Sequence, residues 1–265
     1  MSRPIITLTT DFGPADGYAG AMKGIILGIC PDAMVVDISH EVGPQAVRQA
    51  AYLLSTVTPY FPQGTVHLVV VDPGVGSDRR AIAVQCGRAT YVAPDNGVLS
   101  LALALDPPQT AVQILAGQPI SATFHGRDLF APVAARLACG AGLGEVGVPI
   151  AVGGLVRLSN LAAERQADGS WLGQIVHVDR FGNLITDIEL PMTGDAAAER
   201  RSRAVVWVGK ARIEGVKSTY SDVVPGEPVA YVGSSGRVEI ALRDGSAAAR
   251  LGVGVGDAVR VEGLP

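Results

Sequence analysis

The sequence predicts an α/β amino-terminal domain with a mainly parallel central sheet, followed by a smaller all-β, barrel-like domain. Two observations carry this reading. Over the first half, β-branched apolar runs alternate with helical patterns, the order of βαβ units. Beyond residue 170 only short strand-like runs occur, separated by Gly, Pro and Ser turns. At about 150 residues per domain, a chain of 265 residues suggests one large or two ordinary domains. The boundary is expected near 165, giving residues 1–165 and 166–265.

Taken in order, 5–9 (IITLT) reads as a buried strand and 18–30 as a helix stopped by Pro31. A second strand covers 34–38, and Pro44 opens an amphipathic helix over 45–57. The run 65–71 (TVHLVVV) is almost continuously apolar, as a strand covered on both faces should be. Strands at 81–86 and 90–93 flank Gly87, a helix is expected over 97–105, a weaker strand at 110–115 and a helix over about 127–138. In the second part the expected strands are 171–179, 184–188, 204–208, 228–232 and 237–242.

Composition narrows the function classes. With 48% hydrophobic and 17% charged residues the chain is globular. A net charge of -4 without a basic cluster argues against a nucleic-acid partner. No uncharged apolar run reaches the roughly 18 residues of a membrane span. The opening MSRPIITLTTDFG enters a strand at once, without a signal-peptide pattern. Cys30, Cys86 and Cys139 are scattered and odd in number, so each reads as a small buried hydrophobe in a reducing compartment, and the chain as cytoplasmic. Without CxxC, HxxxH or HxH pairs, no metal centre is expected.

Three carboxylates follow strands: Asp11, Asp72 and Asp95. In a parallel sheet the carboxyl ends of strands share one edge, where open α/β sheets bind ligands. Asp is also a common turn former, which is the plainer account of each alone. The stretch 69–80 (VVVDPGVGSDRR) is the most distinctive. It is open to three readings: a phosphate loop, a loop that folds an arginine back onto Asp72, or a surface turn with two solvated arginines. The phosphate reading lacks both GxxxxGK[ST] and GxGxxG. His125 precedes a helix, whose amino end disfavours imidazolium, so it reads as a neutral proton relay. His40 lies at a strand end, and His67 is either packed or solvent-facing. In 178–188 (VDRFGNLITDI) the pattern alone favours a plain hairpin with Gly182-Asn183 in the turn over a site in which Phe181 stacks on a purine and Asn183 reads its edge. Ser234 and Ser235 sit in a Gly-flanked loop suited to a carboxylate.

Together, TDFGPADGYAGAMKG (10–24), VVDPGVGSDRR (70–80), APDNGVL (93–99), TFHGRD (123–128), VDRFGNLITDI (178–188) and SSGRVEIAL (234–242) resemble, in order, the S-adenosylmethionine hydroxide adenosyltransferases, or SAM hydrolases. These are relatives of fluorinating and chlorinating enzymes that attack the same molecule. The resemblance spans nearly the whole chain. It implies an α/β domain joined to a β-barrel domain, a homotrimer with each site between the first domain of one subunit and the second of the next, and metal-independent conversion of S-adenosylmethionine and water to adenosine and methionine. No cofactor is implied, since S-adenosylmethionine is substrate. The implied water-activating set is Asp72, Arg79 and His125, with Arg80 in reserve for the arginine. Asp11 matches the ribose-hydroxyl ligand, and Asp16 and Asp179 match acidic residues near the methionine end. Phe181 and Tyr220 fall where the family's aromatic rings flank adenine, Asn183 where an amide reads its edge, and Ser235 near the methionine carboxylate. Asp72 stands where fluorinating enzymes have tyrosine, Gly126 where they have a fluoride-binding serine, and Gln45 where they have tryptophan. An arginine expected near the carboxylate is Gly236 here, with Arg237 one place later. The rival readings are a halogenating enzyme, chlorinase-like, and a binding module that holds the nucleoside without turnover.

Overall fold

The structure is a computed structural model that describes residues 3–115, 121–190 and 201–263. The chain divides into two compact units, Met1–Ser159 and Asn160–Pro265.

Among the described residues, the first unit holds a seven-stranded sheet. Its strands are β1 (Ile5–Thr10), β2 (Met34–Ser39), β3 (Val66–Val70), β4 (Ala81–Cys86), β5 (Thr90–Pro94), β6 (Pro108–Ile114) and β7 (Gly147–Ile150), in the order β2-β1-β3-β5-β4-β6-β7. The pairs β2-β1, β1-β3 and β3-β5 are parallel. The far side, β5-β4-β6-β7, is antiparallel. The helices are α1 (Tyr18–Ile29), α2 (Val47–Val57), α3 (Ala102–Leu105) and α4 (Ala131–Ala138). Helices α1 and α4 pack on one face, around Ile6, Leu8, Met22, Ile26 and Phe130. On the other, α2 and α3 pack around Leu54, Val69, Val71, Tyr91 and Leu103. Alternate side chains of β3 feed the two cores, which is why the strand reads as unbroken apolar sequence. Burying one such Leu, Ile or Val is worth about 1.5–3 kcal/mol. Truncating Leu8, wholly buried, to alanine is expected to cost about 2–5 kcal/mol.

Two local expectations change. The predicted helix over 97–105 shrinks to α3. Asn96 Oδ1 accepts the Val98 N–H and Ser100 Oγ donates to the Gly97 carbonyl, so side chains hold this segment in turns. The helix expected over 127–138 begins with a π-helical turn, Gly126–Phe130, before α4. The cysteines also depart from expectation. Cys30, at the end of α1, is disulfide-bonded to Cys139, at the end of α4, with their Cα atoms 5.9 Å apart. The packing of α1 on α4 brings together residues 109 apart in sequence. Only Cys86 matches the buried-thiol reading, and burial pushes its pKa up to about 12.

The second unit is a barrel-like β domain. Its strands are β8 (Glu164–Arg165), β9 (Trp171–Val178), β10 (Leu184–Glu189), β11 (Val205–Val208), β12 (Ala211–Glu214), β13 (Val216–Lys217), β14 (Pro228–Val232), β15 (Arg237–Leu242) and β16 (Ala258–Glu262). The main path runs β12-β11-β16-β9-β10-β15-β14-β13, with β8 paired to β9. Inward residues Ile175, Leu184, Val206, Val238, Ile240 and Val259 form its core. Residues 258–262 (AVRVE) bury Val259 and Val261 and expose Ala258 and Arg260, an alternation the sequence reading did not use. A short helix, α5 (Ala247–Leu251), is capped by Ser246 Oγ, which accepts the Ala249 N–H at 3.1 Å.

Candidate active site

Because β1, β3 and β5 are parallel, Asp11, Asp72 and Asp95 emerge on the same carboxyl edge of the sheet. Beyond β3 the chain turns twice, with Val75 N–H on the Asp72 carbonyl and Ser77 N–H on the Gly74 carbonyl. Ser77 Oγ donates to the Gly74 carbonyl and accepts the Arg79 N–H, which folds residue 79 back toward residue 72. Gly76 has φ +79°, and a Cβ there would lie 2.8 Å from the Ala122 carbonyl oxygen. Only glycine lets this loop approach the segment that carries His125.

The result is a chain of three side chains. Arg79 Nε donates to both Asp72 oxygens, at 3.0 and 2.9 Å, and Nη2 donates to Oδ2 at 2.5 Å. Nη2 also stands 2.7 Å from His125 Nδ1. A guanidinium has no acceptor, so Nδ1 accepts, the imidazole is neutral, and its proton sits on Nε2. Burial first, then the Arg79 charge, lowers the His125 pKa. The Asp72 and Arg79 side chains are nearly buried, and the guanidinium lies 5.2 Å over the Phe130 ring. Of the three readings of the loop, the structure therefore has the one in which an arginine returns to Asp72. That arginine is Arg79. Arg80 turns the other way, onto Asp95 and the Gly154 carbonyl. Asp95 also accepts the Val156 N–H, so it serves as a buried anchor.

Gly126 is packed closely enough that a Cβ would meet Met22 Sδ, Phe12 and Phe124 at 3.2–3.3 Å. Phe12, Tyr18 and Phe124 form an edge-on cluster, with centroids 5.2–6.0 Å apart, that the sequence reading passed over. Asp11 is half-buried and Oδ2 accepts the Gln45 N–H at 2.8 Å. Asp16 is exposed. His40 is tied to Thr10 and Asp37, and His67 is packed in the core.

In the second unit, the turn between β9 and β10 is built by Asp179. Its Oδ1 accepts the N–H groups of Phe181 and Asn183, each at 2.9 Å, and Oδ2 accepts Asn183 Nδ2 at 2.8 Å. Gly182, at φ +82°, leaves no room for a Cβ beside Ser246, and its carbonyl accepts the Ala248 N–H. The turn is thus pinned to α5, and Phe181 projects outward, 76% exposed. Tyr220 stands on a short 3₁₀ turn fixed by Asp222, which accepts the Ser218 and Thr219 N–H groups. Phe181, Asn183 and Tyr220 line one cavity of about 740 Å³, together with Thr219 and Asp244. The sequence reading missed what braces Tyr220. Its hydroxyl is 2.8 Å from that of Tyr231, which donates to Glu239 Oε2 at 2.6 Å. Tyr231 and Glu239 are cross-strand partners in β14 and β15, and burial raises the Glu239 pKa. Ser235 is exposed in the turn between those strands. Arg237 is buried against Glu189 and the Thr186 carbonyl.

Among the described residues, no group of three or more His, Cys, Asp or Glu side chains is placed to hold a metal ion. Likewise no described helix is long and apolar enough to cross a membrane.

Known proteins resemble this chain over almost its full length. A (R)-S-adenosyl-L-methionine hydrolase of Salinispora tropica is 42% identical over 264 residues, covering 97% of each chain. A protein of the same name from Thermus thermophilus is 42% identical and covers 98% of this chain and 99% of its own. A fluorinase of Actinopolyspora mzabensis is more distant, at 27% identity over 98% of this chain and 97% of its own. Among solved structures, an uncharacterized conserved protein from Thermotoga maritima superposes with a TM-score of 0.88 at 34% identity, covering 97% of this chain and 99% of its own. The model of the SAM hydroxide adenosyltransferase N-terminal domain matches residues 6–147, and that of the C-terminal domain matches residues 173–260. With both domains matched in order, the chain belongs to the SAM hydroxide adenosyltransferase family.

Proposed function

We propose that this protein hydrolyses S-adenosyl-L-methionine to adenosine and L-methionine, by in-line attack of water on the ribose C5′. The observation that carries the reading is the Asp72–Arg79–His125 chain on the carboxyl edge of the sheet. The substrate is a sulfonium, so the leaving group departs as a neutral thioether and needs no general acid. What the reaction demands is a water held in line with the departing sulfur. Arg79 holds both oxygens of the Asp72 carboxylate through Nε and Nη2, and that carboxylate orients the water and takes its proton. Neutral His125 holds Arg79 through Nδ1 and offers a donor at Nε2. Holding nucleophile and electrophile in attack geometry supplies up to about 7–11 kcal/mol in the best cases. The halogenating reading is weakened by Asp72 itself, since a carboxylate repels a halide. The 42% identity to hydrolases against 27% to a fluorinase points the same way.

In this reading Asp11 binds the ribose hydroxyls and Asp16 faces the methionine end. Phe181 and Tyr220 flank the adenine and Asn183 reads its edge. Ser235 meets the methionine carboxylate. Asp179 uses three of its roughly four acceptor positions on its own turn, which leaves one for the substrate ammonium. No cofactor is required. We propose a homotrimer in which one subunit's Asp72 set works with the next subunit's Phe181 set, and a location in the cytoplasm. A thiol titration of protein isolated without oxidants tests whether the Cys30–Cys139 bond exists there.

The deciding experiment is turnover in oxygen-18 water, with and without chloride, read by mass spectrometry. Adenosine labelled at the 5′ oxygen is expected. A 5′-halo product would move the protein to the halogenases, and binding without product would make it a nucleoside-holding module. Light scattering tests the assembly: a monomer that still turns over ends the shared-site proposal.

A further inference from the structure

At the other edge of the same sheet, where β3 and β5 begin, lies a cavity of about 290 Å³. Ligand sites of small molecules begin near this size, at about 300 Å³. Its floor is closed from beneath by His67 and Tyr91, which are 0% and 2% exposed. His67 and Tyr91 are register partners in β3 and β5, and their rings stack 5.1 Å apart at 27°. Phe61 meets the His67 ring edge-on at 5.6 Å. Ala102 closes the depth and Leu105 stands exposed above it. His67 is wholly buried. Its Nδ1 is 2.7 Å from Thr7 Oγ1, while Nε2 has no hydrogen-bond partner. Burial lowers its pKa to about 4, so the ring adds no charge to the cavity at neutral pH.

The rim carries two opposite charges. Asp106 is fixed there because Oδ1 accepts the Gly87 N–H and Oδ2 accepts the Arg88 N–H, each at 3.0 Å. The Arg88 side chain is exposed, and among the described residues no carboxylate pairs with it. A simple anion at this rim would meet Asp106, and a simple cation would meet Arg88. A zwitterion satisfies both. We propose that this cavity binds a free L-α-amino acid with an apolar or aromatic side chain. The carboxylate pairs with Arg88, the ammonium with Asp106, and the side chain lies against Phe61 and Leu105, over the floor that the His67–Tyr91 stack supports.

The proposal does not depend on the reaction above. L-Methionine is a member of the class, so where the proposed hydrolysis also holds, the site would take a reaction product. The test uses L-phenylalanine and L-methionine as probes, by titration calorimetry and by NMR shifts of the His67 and Tyr91 rings. Binding with shifts at both rings is expected for at least one probe. 3-Phenylpropanoate lacks the ammonium and phenethylamine lacks the carboxylate. Each should bind at least about tenfold more weakly than L-phenylalanine, a difference of about 1.4 kcal/mol. The Arg88→Glu variant changes an exposed side chain and keeps the backbone donor to Asp106. It should lose at least about tenfold in affinity for either amino acid. The proposal is overturned if neither probe shifts His67 and Tyr91 at concentrations on the order of 10 mM. Equal binding of the two truncated analogues, or unchanged affinity in Arg88→Glu, would overturn it as well. Methionine bound at the Asp72 edge alone would leave both rings unshifted and counts against it.

Discussion

The two sets of proposed site residues are built in opposite ways. Asp72, Arg79 and His125 are nearly or partly buried and bonded to one another, on loops leaving a rigid sheet. Phe181 and Tyr220 are exposed rings at the edge of an open cavity, and their support comes from beneath: Asp179 and Gly182 under one, Tyr231 and Glu239 under the other. A reacting group must hold its geometry before substrate arrives. A stacking platform needs only a fixed base and a free face. Mutations in the first set should therefore act on turnover, and in the second on binding.

The largest effect is expected at Asp72. Asp72→Ala should lower kcat by about 10²–10⁴-fold, the range for a lost acid–base group, with KM changed far less. Asp72→Asn keeps the shape and should lose nearly as much. A melting curve separates this loss from unfolding, because removing one partner of a buried ion pair costs about 3–5 kcal/mol. A near wild-type kcat in either variant would remove Asp72 from the mechanism and collapse the contrast between the sets.

Arg79→Lys tests the same set by pH. Lysine cannot bond both carboxylate oxygens and His125 at once, so kcat is expected to fall by about 10–10²-fold. His125 works here as the neutral acceptor of Arg79. Protonating it costs activity, so the acid limb of the wild-type kcat profile should lie below the ordinary histidine value of about 6.5. Burial contributes most to that displacement and Arg79 adds to it. In Arg79→Lys the donor to Nδ1 is lost and the limb should move upward. An unmoved limb would detach His125 from Arg79.

How much of this was legible depends on whether the cause was local. The unbroken apolar run before Asp72 announced a strand covered on both faces, and Gly76 after it stands where the loop meets Ala122. The choice between Arg79 and Arg80 was not local. It is made by Ser77 on one side and by Asp95, from β5, on the other. The Cys30–Cys139 pairing needed the packing of α1 on α4, which no spacing rule states. Tyr231 and Glu239 were half legible. They flank a Gly-bounded turn in a hairpin, so pairing them across the strands required only the register that the structure supplies. The shortened helix at 97–105 failed for a local reason that was present in the sequence, the turn-forming Asn96 and Ser100.

Phe181→Ala sharpens the comparison from the binding side. A base stacked on an aromatic ring is worth about 1–3 kcal/mol, so KM should rise by about 5–150-fold with kcat nearly unchanged. The side chain is 76% exposed, so the melting temperature should hold. A fall in kcat as large as that of Asp72→Ala would mean that the ring acts in the chemical step, and the division of labour would fail.

The smallest expected effect probes the brace under Tyr220. Tyr231→Phe removes the hydroxyl that links Tyr220 to Glu239 and leaves the ring packing in place. Two hydrogen bonds are lost, one to Glu239 and the neutral one to Tyr220; only the second touches Tyr220, and at about 0.5–1.5 kcal/mol its loss should raise KM by about 2–10-fold. A merely structural role would lower stability without this change in KM. The chain also predicts non-additivity, because Tyr220→Phe breaks the same link from the other end. The double variant Tyr220→Phe/Tyr231→Phe should then be little worse than either alone, whereas independent residues would multiply their effects. Multiplied effects would show that Tyr231 and Glu239 do not position Tyr220. The exposed rings would then be held by their turns alone, and the binding set would be looser than its hydrogen bonds imply.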